Sequence, residues 1–199
     1  MPVFPLIFFL LFLSFQGFAQ TDAPAELVPF NQKRVQITQR GMFVLGGGGL
    51  ASVVSGGIAL STGSTGQLRY FSQMQVMWGS VNVGIAALGY WQNRKQPSQL
   101  SPFSSLQSQY HTEKVLLVNT GIDLAYMAAG WALMERSQRA DQNSDQLMGF
   151  GRSILLQGGF LFLYDLILHQ AHVSNRKKFH PTFQKISLAS NGIGLRFNL

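Results

Sequence analysis

The sequence predicts an all-α membrane protein: an antiparallel bundle of four transmembrane helices, with a cleaved signal peptide before it and a short basic tail or hairpin after it. Three observations carry this prediction. Apolar residues gather into four blocks, at 41–60, 70–91, 115–134 and 147–171, and each reaches the length of about 20 residues that crosses the hydrocarbon core as a helix. Only 12% of the 199 residues are charged, against roughly a quarter in an ordinary soluble domain. The Lys and Arg residues fall almost wholly between and beyond the blocks, where they anchor a membrane protein against lipid head groups.

Taken in order, residues 1–19 hold an apolar core at 6–15 followed by small Gly17 and Ala19. This predicts a signal peptide cut after Ala19, although no Lys or Arg precedes the core; the rival reading is an uncleaved fifth span. Residues 20–40 are a polar lead-in with Pro24 and Pro29, in which "LVPFNQKRVQITQR" forms a short amphipathic surface helix. Span one covers about 41–61. Its "GGGG", Gly46 to Gly49, lacks the Lys and Ser or Thr of a phosphate-binding loop and, with Ser52, Ser55 and Gly56, offers a smooth face for close helix packing.

"STGSTGQLR" turns the chain into span two, 70–91. The long connection "QNRKQPSQLSPFSSLQSQYHTEK" reads as a surface loop with one helical turn near 103–110. Span three covers 115–134, "ERSQRADQNSDQ" closes the next hairpin, and span four covers about 148–171, completing an up-down-up-down transmembrane domain over 41–172. The basic tail, 173–199, alternates apolar residues around Asn191-Gly192, a dipeptide suited to a tight β-hairpin.

Cleavage places both termini outside the cytoplasm, periplasmic for a bacterial inner-membrane protein. Eleven basic residues lie on that side, among them Lys33, Arg34, Arg40, Arg94, Lys114 and Arg176, against Arg69, Arg136, Arg139 and Arg152 on the other. The positive-inside rule argues for the opposite orientation.

Several functions are excluded or disfavoured. The net charge of +7 is distributed as membrane flanks rather than as a nucleic-acid footprint. The chain has no cysteine, so thiolate metal sites, thiol catalysis and disulfides are ruled out. His111, His169, His172 and His180 fall toward one side, but only His169 lies convincingly within a span, so no haem or metal site is predicted. No Ser, His and acid set forms a catalytic triad, and Arg152 near the start of span four can snorkel to the surface.

The remaining signal is polar residues inside the spans. Counting 1.5 Å per residue from the end bearing the termini puts Asn82 roughly 13 Å, Asp123 about 12 Å and Asp165 about 9 Å deep. Asn119, Asp123 and Tyr126 share one stripe of span three. Gln157, Asp165, His169 and His172 form a looser stripe of span four, and Gln75, Trp78 and Asn82 line span two. Because such groups avoid lipid, the prediction is an interior cluster of Asn82, Asn119, Asp123, Asp165 and His169, with Tyr126, Gln157 and His172 as secondary members.

Spans two and three also share a pattern, "NVGIAALGYW" from Asn82 and "NTGIDLAYMAAGW" from Asn119. With "QGGFLFLYDLILH" and the "GFAQ" at the end of the signal segment, it resembles an uncharacterised family of small four-helix membrane proteins from Bacteroidetes-type bacteria, over about 40–172. The resemblance implies a helical bundle in a membrane and carries no activity, catalytic residue or cofactor. Two readings of the cluster stay open. The leading one is a structural or accessory membrane protein whose polar residues hold the helices in register; the alternative is small-scale transport or proton-coupled binding through the carboxylates and imidazole. A membrane enzyme or redox carrier would require a cofactor, and none is predicted. The expected partners are the lipid bilayer and either another membrane protein or a second copy.

Overall fold

The computed structural model describes residues 24–139 and 143–190, with side chains as far as residue 186. After a 3-10 turn at Ala25–Leu27 come four helices: α1, Val28–Ser61; α2, Gly66–Arg94; α3, Pro102–Ser137; and α4, Ser144–Ser190. There is no strand among the described residues. The predicted signal peptide lies outside them.

Local chemistry explains the starts and stops. Pro29 stands in the first turn of α1, where its missing N–H costs nothing. Gly63 takes φ +79 at the exit of α1, a left-handed conformation that glycine adopts without a Cβ clash. Pro102 opens α3, and the Ser101 side chain caps it by accepting from the backbone N–H of Ser104 at 3.2 Å, the role Ser plays best at a helix start.

The helices run further than the apolar blocks. α1 begins at Val28 rather than near Gly41, α3 at Pro102 rather than Val115, and α4 continues to Ser190 with Pro181 inside it. The reason is a second, smaller core beyond the apolar blocks. Leu27, Phe30 and Phe183 form a buried cluster with Leu106, Phe179 and Ile186 against it, and Phe30 meets Phe179 and Phe183 edge-on at 5.5 and 5.0 Å. Phe179, Phe183 and Ile186 recur at i, i+4 and i+7. That helical spacing overrides the alternation read as a hairpin strand: Lys185 through Ser190 is helical, and the Asn191-Gly192 turn lies outside the described residues. The extensions of α1, α3 and α4 thus form a three-helix cap, whose edge α2 meets with its last turn, where Asn93 Nδ2 donates to the Val35 carbonyl at 2.7 Å.

Within the apolar region α4 packs against all three other helices, α1 also lies along α2, and α3 packs chiefly on α4. Glycine crossings set the closest approaches, among them Gly149 of α4, where a Cβ would stand 2.5 Å from the Gln67 carbonyl of α2. A Cβ on Gly79 would stand 2.5 Å from the Gly49 carbonyl, and one on Gly130 would stand 2.7 Å from the Leu155 N and 2.8 Å from the Gly151 carbonyl. Along α1 and α2 the contacts pair Gly46 with Ala86, Gly49 with Gly79 and Gly56 with Ser72, so numbers fall on one helix as they rise on the other. The smooth face expected of the "GGGG" run is therefore made by Gly46, Gly49, Ser52 and Gly56; Gly47 meets nothing within 4 Å.

α1, α3 and α4 are long and apolar enough to cross a membrane. α2 is less apolar, and its burial explains why. Its inward face carries Ser72, Gln75, Gly79, Asn82, Ala86 and Asn93, whereas Leu68, Met77, Leu88 and Trp91 point outward. Polar inside and apolar outside reverses the order of a water-soluble bundle.

Candidate functional site

One stripe of α4, through Ser153, Gln157, Asp165, Leu168, His172 and Asn175, is buried along its length. It divides the interior into three polar layers, spaced by roughly 10–12 Å along the helix axis.

The first layer centres on Gln157. Its Nε2 donates to Ser52 Oγ on α1 at 2.9 Å and to Gln75 Oε1 on α2, while its Oε1 accepts from Asn82 Nδ2 on α2 at 3.3 Å. One amide from α4 thereby ties the α1–α2 pair to the rest of the bundle. Beside this layer Trp78 of α2 meets Tyr126 of α3 edge-on at 5.2 Å.

The second layer is Asp123 on α3 and Asp165 on α4, buried and joined by a hydrogen bond between their carboxyls. A carboxylate has no donor, so such a bond requires a proton on one member. Apart from Asp165, nothing donates to the buried Asp123 Oδ2.

The third layer sits where the apolar blocks end and the cap begins. Glu113 of α3 accepts from Arg176 Nε of α4 at 2.9 and 3.1 Å. Gln109 Nε2 donates to Glu113 Oε1 at 2.9 Å and to the His172 carbonyl at 2.8 Å. Asn31 donates to Ser105 Oγ at 2.9 Å, and Thr38 Oγ1 shares a 3.3 Å hydrogen bond with His172 Nε2. Arg34 is buried among these groups, its Nε and Nη2 without a protein partner. Burial lowers its guanidinium to about 10, still a cation at neutral pH. The hydrogen bond to Glu113 raises Arg176.

His172 is fully buried. Burial first, then the Arg34 cation and His169, push its imidazole from 6.5 down to about 4, against the pull of Glu113. A depressed histidine favours folding above the unfolded value and loses that contribution as pH falls. Between pH 6.5 and 4 the unfolded chain takes up the proton first, so the contribution of His172 to stability falls by about 3 kcal/mol across this window. Other groups titrate in the same range, so the check is a difference: in thermal melts of detergent-purified protein, the stability of wild type relative to His172→Gln should fall as pH drops from 6.5 to 4.

The structure brings together part of the predicted cluster. Asp123 pairs with Asp165, but Asn82 belongs to the Gln157 layer. Asn119 is half-buried, and its neighbour Thr120 takes the buried stripe, donating to the Leu116 carbonyl at 2.9 Å. The shared Asn-x-Gly-Ile pattern therefore does not give its two asparagines the same role. His169 is half-buried and interacts with His172. Gln157 and His172, secondary in the sequence reading, each anchor a layer, and the third layer adds Asn31, Arg34, Gln109, Glu113 and Arg176. No group of three or more metal-ligating side chains occurs among the described residues.

Residues 44–166 match a family described as a family of unknown function (DUF6992). That stretch contains the first two layers, but Arg34, His172 and Arg176 fall outside it. No curated protein and no solved structure matches the chain.

Proposed function

The chain belongs to this family of unknown function, and from that premise we propose that it is an integral membrane protein of structural or accessory role, an antiparallel four-span bundle in a bacterial inner membrane with both termini periplasmic. The inverted distribution of polarity supports a membrane setting, including for α2, whose outward face is apolar. The opposed numbering of the glycine contacts supports up-down-up-down order. The observation that carries the functional reading is the Gln157 layer: interior polar groups of three helices spend their hydrogen bonds on one another. Groups satisfied in this way fix helix register.

One observation favours the second reading, proton-coupled transport or binding: a buried, proton-sharing Asp123–Asp165 pair in which Asp123 Oδ2 has no donor other than Asp165. Substitution at Asp165 separates the two. If the pair is structural, Asp165→Asn keeps a donor for Asp123 and melts near wild type, whereas Asp165→Leu strands the Asp123 carboxyl and loses about 1–3 kcal/mol. Proteoliposomes of all three proteins should leak protons no faster than empty vesicles. Proton or cation uptake by wild type that disappears in a normally folded Asp165→Asn variant would establish transport instead.

A further inference from the structure

α1 and α4 lie side by side from the cap into the apolar region, with a groove of about 760 Å³ between them. Its character changes along its length. At one end it is walled by apolar side chains, including the exposed Val44 and Ile167. At the other, Lys33 and Arg40 of α1 and Lys178 of α4 stand exposed on its rim. None of the described residues lining it is acidic. Tyr164 lines the apolar end, its hydroxyl buried and without a hydrogen-bond partner.

We propose that this groove binds an anionic phospholipid, the phosphate held by Lys33, Arg40 and Lys178 and an acyl chain lying along Val44 and Ile167. The inference rests on the membrane reading above. Basic residues enter the lining only beyond residues 41 and 171, where the apolar blocks end, and so on the head-group side of the boundary with the acyl chains. Basic pockets between helices at that level recognise phosphate head groups. A second copy fits less well, because two-fold pairing through this face sets the same cations against each other.

The test uses full-length protein in a nonionic detergent, titrated with dioleoylphosphatidylglycerol or dioleoylphosphatidylcholine and followed by native mass spectrometry. The expected result is an about tenfold preference for phosphatidylglycerol, shrinking with added salt because the cations are exposed. K33Q/R40Q/K178Q should bring the two lipids within about twofold, and R69Q/R136Q at the opposite end should leave the preference intact. Equal binding of both lipids, a preference that survives the triple substitution, or full competition by glycerol phosphate alone would overturn the proposal. The last of these would mark a soluble-anion site. Release of the protein from membranes by alkaline wash would instead overturn the membrane reading, so the two failures are distinguishable.

Discussion

Gly151→Val should abolish the folded bundle. A Cβ at Gly151 would stand 2.7 Å from the Gly130 carbonyl oxygen, 2.7 Å from Met134 Cγ and 3.0 Å from the Met134 N. Two of these three are backbone atoms of α3, which cannot swing aside as a side-chain tip does. α3 and α4 must then move apart along their whole contact, which also holds Gly158 against Met127 and the Asp123 carbonyl and joins Asp123 to Asp165. Overpacking one core site costs about 1–3 kcal/mol; a clash of two backbones should exceed that and leave no monodisperse peak on size-exclusion chromatography. Gly159→Ala on the same helix is the control. Nothing lies within 4 Å of a Cβ there, so the variant should elute and melt as wild type does, or slightly higher from the gain in helix propensity.

Those glycines show how far the sequence could be read. Helices, blocks and the small-residue face of α1 follow from composition and spacing, because burial of a helix face leaves a period of about 3.6 residues in the chain. Depth is less legible, because the helices do not end where the apolar blocks do: α2 runs to Arg94 and α4 to Ser190. Asp123 and Asp165 lie on the buried stripes of α3 and α4. Asn119 and His169 are near the right depth but rotated off the buried face.

The third layer is hidden in the sequence for a different reason. Charges flanking an apolar block ordinarily anchor it at the head groups, and Arg34 and Arg176 read as such flanks in the sequence. Yet Ser105, Gln109, Glu113, Leu116, Thr120 and Asp123 are all buried on α3 and recur every three or four residues across the block boundary. Following that stripe past Val115 would have located the layer. The pairings within a layer are another matter: which amide faces which depends on how four helices cross, and no single helix encodes it.

Gln157→Leu should then cost about 2–4 kcal/mol of stability, as one residue's loss strands groups on two other helices. Leucine matches the bulk of the side chain but leaves Gln75 Oε1 and Asn82 Nδ2 without the partners they have now. Gln75 and Asn82 are 5% and 2% exposed, so water does not readily replace the lost bonds. Single interhelical hydrogen bonds in membranes average only about 0.6 kcal/mol, because the separated helices find other partners; a hub with three partners multiplies the loss. The decisive measurement is non-additivity. Gln75→Leu combined with Gln157→Leu removes an orphan together with its missing partner, so the double variant should be less destabilised than the two single losses added, by about 1 kcal/mol. Additive losses would mean that the amides merely tolerate each other, and that the register of α2 on α4 is set by other contacts, such as the close approach of Gly149 to the Gln67 carbonyl.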